Sequence, residues 1–151
     1  MPASTRLTLL VCASFLIVAG GCTPDERTSQ GVAEVFVDKQ YVQIDPAAAE
    51  SVCVGLALEK VKHIRKLTEG LVVDATTKKP TVRYTISEAK EEPEHATYVF
   101  EGTIYVEGDD SFSRRWIVST RKEGDIWRVS NFTEDYGADD LKPPMNTDEH
   151  G

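Results

Sequence analysis

From Val32 onward the apolar positions fall at three- and four-residue intervals. Val32, Val35, Phe36, Tyr41 and Val42, extended by Ile44, share one side of a spiral, while Glu34, Asp38 and Lys39 take the other, which is the period of an amphipathic helix. Asp45-Pro46 stops this helix and starts another, because Asp is a good helix cap and Pro is tolerated in a first turn. A short alanine-rich helix through Cys53 follows. Between Leu56 and Leu67, the residues Leu56, Val61, Ile64 and Leu67 lie near one face, and Glu59, Lys60, Lys62, Arg65 and Lys66 lie mostly opposite. This is a third helix, which Gly70 closes. The period then drops from about four to two. Val82, Tyr84 and Ile86 alternate with Arg83, Thr85 and Ser87, and Tyr98, Phe100, Ile104 and Val106 alternate with Val99, Glu101, Thr103 and Tyr105, as strands require. Turns at Gly108-Asp109-Asp110 and Glu123-Gly124-Asp125 bracket a third strand from Phe112 to Arg121, and Ile126 to Thr133 supplies a fourth. Helices first and an antiparallel meander afterwards specify an α+β fold, with N-terminal helices packed on a curved antiparallel sheet.

The flanks carry a different pattern. Leu7 to Gly21 is uncharged and apolar behind the single charge of Arg6, too short for a spanning helix of about 20 residues and arranged like a secretory signal. It ends on small residues and a cysteine. Val18-Ala19-Gly20-Gly21-Cys22 resembles the bacterial lipobox, with Ala19 where Leu is commonest. The resemblance implies that Cys22 takes a diacylglycerol and becomes the first residue of the mature chain. With two or three acyl chains, the anchor would be effectively permanent. Thr23 in place of Asp removes the usual inner-membrane retention signal, which points to the outer membrane in a host that has one. The organisation expected is a signal peptide over 1–21, a polar tether over 22–31, one domain over 32–136 and a disordered acidic tail over 137–151.

Of the three cysteines, Cys12 leaves with the signal and Cys22 is consumed by lipid, so Cys53 has no intramolecular partner. Its apolar neighbours Val52, Val54 and Leu56 mark it as core packing. The formal charge of −8 becomes −9 once Arg6 is removed (−8 − 1), an acidic body that speaks against nucleic acid as a partner. Only Lys60, Lys62, His63, Arg65 and Lys66, followed by Lys78 and Lys79, concentrate positive charge; this is read as a solvated helix face. His63, His95 and His150 are not at metal-ligand spacing, so no metal and no cofactor is expected.

The element order, together with Gly124-Asp125-Ile126-Trp127-Arg128-Val129 in the closing strand, resembles the nuclear transport factor 2-like superfamily, which includes SnoaL-like and cystatin-like cone folds. The likeness covers about Gly31 to Glu134. It implies helices closing a cone of curved sheet, in which Tyr41, Tyr84, Tyr98, Phe100 and Trp116 would line any pocket. Trp127 is assigned to the core, and Trp116 is left open between core and pocket. Superfamily enzymes use an inward carboxylate or histidine, and only Glu101, near Tyr105 and Tyr98, offers one. Strand alternation reads Glu101 as a solvated glutamate, so no catalytic residue is assigned. The reading is a non-enzymatic, lipid-anchored binding or assembly module of the cell envelope, partnered by the membrane through Cys22 and by an envelope protein, with a homodimer through the sheet as a further option. A small apolar-ligand binder and a dehydratase- or isomerase-type enzyme are the alternatives.

Overall fold

The computed structural model describes residues 24–71, 79–108 and 111–135; the signal segment, Cys22, Lys78 and the 137–151 tail lie outside them. Helix α1 spans Ser29–Val37 and is capped by Thr28, whose hydroxyl accepts the Gly31 N–H at 2.9 Å. The polar stretch read as a tether is therefore folded from Asp25 onward, because the Asp25 carbonyl accepts the Thr28 N–H at 3.0 Å. Beyond Val37 the chain continues as a π-helical turn over Asp38–Val42. It reverses at Ile44, whose φ of 56° is rare for a β-branched residue. Ile44 consequently leaves the helical face on which its spacing placed it and is 51% exposed.

The Asp45-Pro46 start holds as the sequence specifies. Asp45 accepts the Ala48 N–H at 2.9 Å, and Pro46 opens α2 (Pro46–Glu50). Helix α3 (Gly55–Thr68) turns only part of the expected face inward. Ala57 and Val61 are buried with Ile64 beside them, whereas Leu56 and Leu67 are exposed. Periodicity fits both sets. The inward one is selected by α2 and by the edge of the sheet, against which α3 packs.

Four strands form one antiparallel meander in the order β1-β2-β3-β4: β1 Thr81–Glu91, β2 His95–Tyr105, β3 Phe112–Glu123 and β4 Ile126–Asp135. Alternation sends Tyr98, Phe100, Trp116, Val118, Val129 and Phe132 toward the helices, all buried. Each fully buried large side chain contributes about 1.5–3 kcal/mol relative to exposure. Two interruptions bend the outer strands. Ser87 is skipped between Ile86↔Phe100 and Glu88↔Val99, and Ser130 is skipped between Ser119↔Asn131 and Thr120↔Val129; such bulges increase local twist and curvature.

The free side of β4 is covered. Val54 N–H donates to the Val129 carbonyl at 2.8 Å, and Val129 N–H donates to Val52 at 2.9 Å. Lys60 extends from α3 to the Phe132 carbonyl at 2.7 Å and Asn131 Oδ1 at 2.9 Å, its ammonium over the Phe132 ring. A lysine that the pattern assigned to a solvated face thus closes a sheet edge that would otherwise expose unpaired backbone groups.

Candidate functional site

The residues expected to line a cone pocket are brought together, as one cluster of rings. Tyr41 stacks on Trp116 with centroids 4.5 Å apart and planes 18° from parallel. Phe36 meets Tyr41 edge-on and tilts against Phe132, and Tyr84 meets Phe100 edge to face at 5.6 Å. Tyr98, Phe100 and Trp116 are fully buried. All five expected lining residues belong to or pack against the buried core cluster between helices and sheet. Trp116, left open by the sequence reading, is the core residue, and Trp127, assigned to the core there, is instead half-buried at the rim of a surface groove. The adjacent Arg115 says nothing about Trp116, because neighbouring residues on a strand point to opposite faces.

That groove, about 630 Å³ in volume, lies where α1 begins and the two hairpins turn. At its base the Tyr98 hydroxyl donates to Glu91 Oε1 at 2.5 Å and is 2.6 Å from the Ser29 hydroxyl. Burial, then the Glu91 hydrogen bond, pushes the Tyr98 phenol up to about 12. At neutral pH it is a hydrogen-bond donor and not a base. Ser29 and Tyr98 are 69 positions apart, so no spacing rule could pair them. Arg27, Gln30 and Glu34 form the rest of a polar rim.

Glu101 lies on the opposite side of the sheet from the rings, exposed and directly across from Arg115. Arg115 in turn bonds Glu88 Oε1 at 3.0 Å. The groove there, about 480 Å³, is lined by Thr85, Thr103, Ser113 and Asp135 among others and by no histidine. His63 lines a third groove beside Phe132, His95 opens β2, and His150 lies outside the described residues. Among the described residues no group of three His, Cys, Asp or Glu side chains forms a metal site, and no helix is long and apolar enough to cross a membrane.

Cys53 is buried beside β4, and burial with the nearby Glu50 carboxylate pushes its thiol up to about 12. A thiol held neutral in this way is a packing group. It should stay unlabelled by a soluble disulfide reagent at pH 8 and react only when the protein is unfolded in urea. The raised values also fix an alkaline limit. Cys53 ordinarily ionises at 9.0 and Tyr98 at 10.0, so between those values and about 12 the unfolded chain releases protons that the folded chain keeps. Stability is therefore undiminished by these groups below pH 9 and falls above it. The urea midpoint should drop between pH 8 and pH 10.5, and drop less in Tyr98→Phe; an unchanged slope in that variant would refute the assignment.

No family model matches the chain, and no curated protein matches it in sequence. Solved structures do match in shape. A structure from Thiobacillus denitrificans described as a calcium/calmodulin-dependent protein kinase type II association domain aligns with a TM-score of 0.55 at 10% identity, over 71% of this chain and 93% of that one. The TraE protein, solved in complex with 2-(2-furyl)isonicotinic acid, aligns at 0.50 and 16% identity over 70% and 93%. A hypothetical protein with a ketosteroid isomerase-like fold from Catenulispora acidiphila, bound to trimethylamine, aligns at 0.47 and 13% over 72% and 87%. The backbone shared with the first two is helices packed on a curved antiparallel sheet, the nuclear transport factor 2-like fold. At these identities the likeness concerns the backbone alone, and function has to come from this chain's own residues.

Proposed function

We propose that the chain is a lipoprotein, anchored by diacylglycerol on Cys22 after removal of residues 1–21, whose nuclear transport factor 2-like domain is a non-catalytic binding or assembly module at the cell envelope. The observation that carries this reading is Val18-Ala19-Gly20-Gly21-Cys22 at the end of an apolar run. The interior supports assembly over turnover, because Phe100 and Trp116 are buried in the core between sheet and helices and Tyr41 stacks on Trp116. Glu101, the one carboxylate considered for proton transfer, is on the far side of the sheet from them. The partners proposed are the membrane, through the lipid, and an envelope protein. The outer face of the sheet, where Val99 and Ile117 face each other among serines and threonines, is the surface through which a homodimer would form.

Cys22→Ser removes the only acceptor for the lipid. In cells given radiolabelled palmitate, the variant should lose all label and leave the membrane fraction after a high-salt wash. Retention of the Cys22→Ser protein on washed membranes would show the anchor reading to be wrong.

A further inference from the structure

We infer that the lipid on Cys22 holds the domain directly against the headgroup layer by the end that carries the β1–β2 and β3–β4 turns, with the opposite end facing away from the membrane. The inference rests on the anchor proposed above and adds an orientation to it. It comes from the strap before α1. Asp25 accepts both the N–H and the hydroxyl of Thr28 on its carbonyl at 3.0 Å, and its carboxylate receives the Arg27 N–H at 3.1 Å and the guanidinium Nε at 2.9 Å. Its backbone lies so close to Gly31 that a Cβ there would be 1.9 Å from the Asp25 carbonyl oxygen. Only glycine admits that approach. Pro24 already lines the groove with Glu91 and Trp127, the residues next to the two turns.

Between the lipid acceptor and this docked chain stands Thr23 alone. Two Cα steps span at most about 7 Å. Strand β2 by itself runs from His95 to Tyr105, about 33 Å at 3.3 Å per residue, so a leash of this length cannot let the domain turn over on its anchor. The turns at 92–94 and 124–125 therefore lie beside the headgroups. Ile126, 53% exposed, and the half-buried Trp127 belong to the same end, and Trp favours the membrane interface. The charges of this end are mixed, with Glu92 paired to Lys90 and Glu123 to Arg121, so the covalent anchor, and not attraction of a basic patch to anionic lipid, keeps it in place. Helix α3 starts near this end, where Gly55 lies close to the Arg121 guanidinium, and runs about 20 Å at 1.5 Å per residue to Leu67. That distal end, with Tyr105, is what an envelope partner would meet.

The test uses the full, lipidated chain in vesicles of phosphatidylethanolamine and phosphatidylcholine containing a lipid with a nitroxide on its headgroup. A bimane fluorophore is attached under native conditions to Glu94→Cys in one preparation and to Leu67→Cys in another. Quenching should be severalfold stronger at position 94 than at position 67. Inserting a flexible Gly/Ser segment of about ten residues between Thr23 and Pro24 should bring the two toward equality, and Gly31→Ala, which forces Asp25 off the helix, should move them the same way. Equal quenching in the labelled protein with its natural strap, or stronger quenching at position 67, would overturn the orientation while leaving the anchor intact. Failure of palmitate to label the chain at all would overturn the anchor, and the orientation with it.

Discussion

Trp116→Ala should destabilise the domain by about 3 to 5 kcal/mol, the range for truncating a fully buried core aromatic. Its ring is 1% exposed and is held from one side by the stacked Tyr41 ring and from the other by the backbone at Gly102. Truncation leaves a void that neither a flat ring nor a strand backbone can move to fill. Against the total of roughly 5–15 kcal/mol typical of a domain, this is a large fraction. Trp127→Ala should cost distinctly less, since Trp127 keeps part of its surface in water at the groove rim. Urea unfolding followed by far-ultraviolet circular dichroism decides the matter without depending on either fluorophore. A larger loss from Trp127→Ala than from Trp116→Ala would contradict the packing described.

Gly102→Ala should also destabilise the domain, for the opposite reason. A Cβ at that position would stand 2.3 Å from both Cη2 and Cζ3 of Trp116, well inside contact distance. The indole cannot yield, because Tyr41 covers its other face. Overpacking of this kind costs about 1–3 kcal/mol, even though alanine is otherwise an ordinary strand residue. The sharper result is the coupling. In a Trp116→Ala background the new methyl group meets a vacated space, so the Gly102→Ala penalty should largely disappear and the double variant should be more stable than the sum of the two losses predicts. Strict additivity in the same urea titrations would mean that the close approach of Gly102 to Trp116 does not exist in solution.

The clash also shows why part of the interior was hidden from the sequence. Glycine in a strand suggests a bulge or a close approach, but nothing in Phe100-Glu101-Gly102-Thr103 says that the approaching group is a tryptophan one strand away. Leu56, Leu67 and Ile44 show the same limit. Each fits a helical apolar stripe, and each is exposed, because hydrophobic spacing leaves two neighbouring faces of a helix almost equally apolar. Ala57 carries too little apolar surface to mark a stripe, yet its small side chain lets α3 come close to α2 and β4.

What the sequence determined by itself was local: the change of period from about four to two, hence helices before an antiparallel meander; the Asp45-Pro46 start of α2; the turn after Glu123; and the outward side of Glu101. These follow from backbone geometry and nearest-neighbour chemistry, which a linear pattern records. The tertiary structure decided which tryptophan fills the core, which face of α3 is buried, that Lys60 and the 52–54 segment close the β4 edge, and that Ser29, Tyr98 and Glu91 meet at one hydroxyl. It also decided that the chain is pinned to α1 from Asp25 onward. The physical reason is the same throughout. Alternation fixes the two sides of an element, whereas the choice of what covers each side depends on steric fit and hydrogen bonds between residues far apart in the chain.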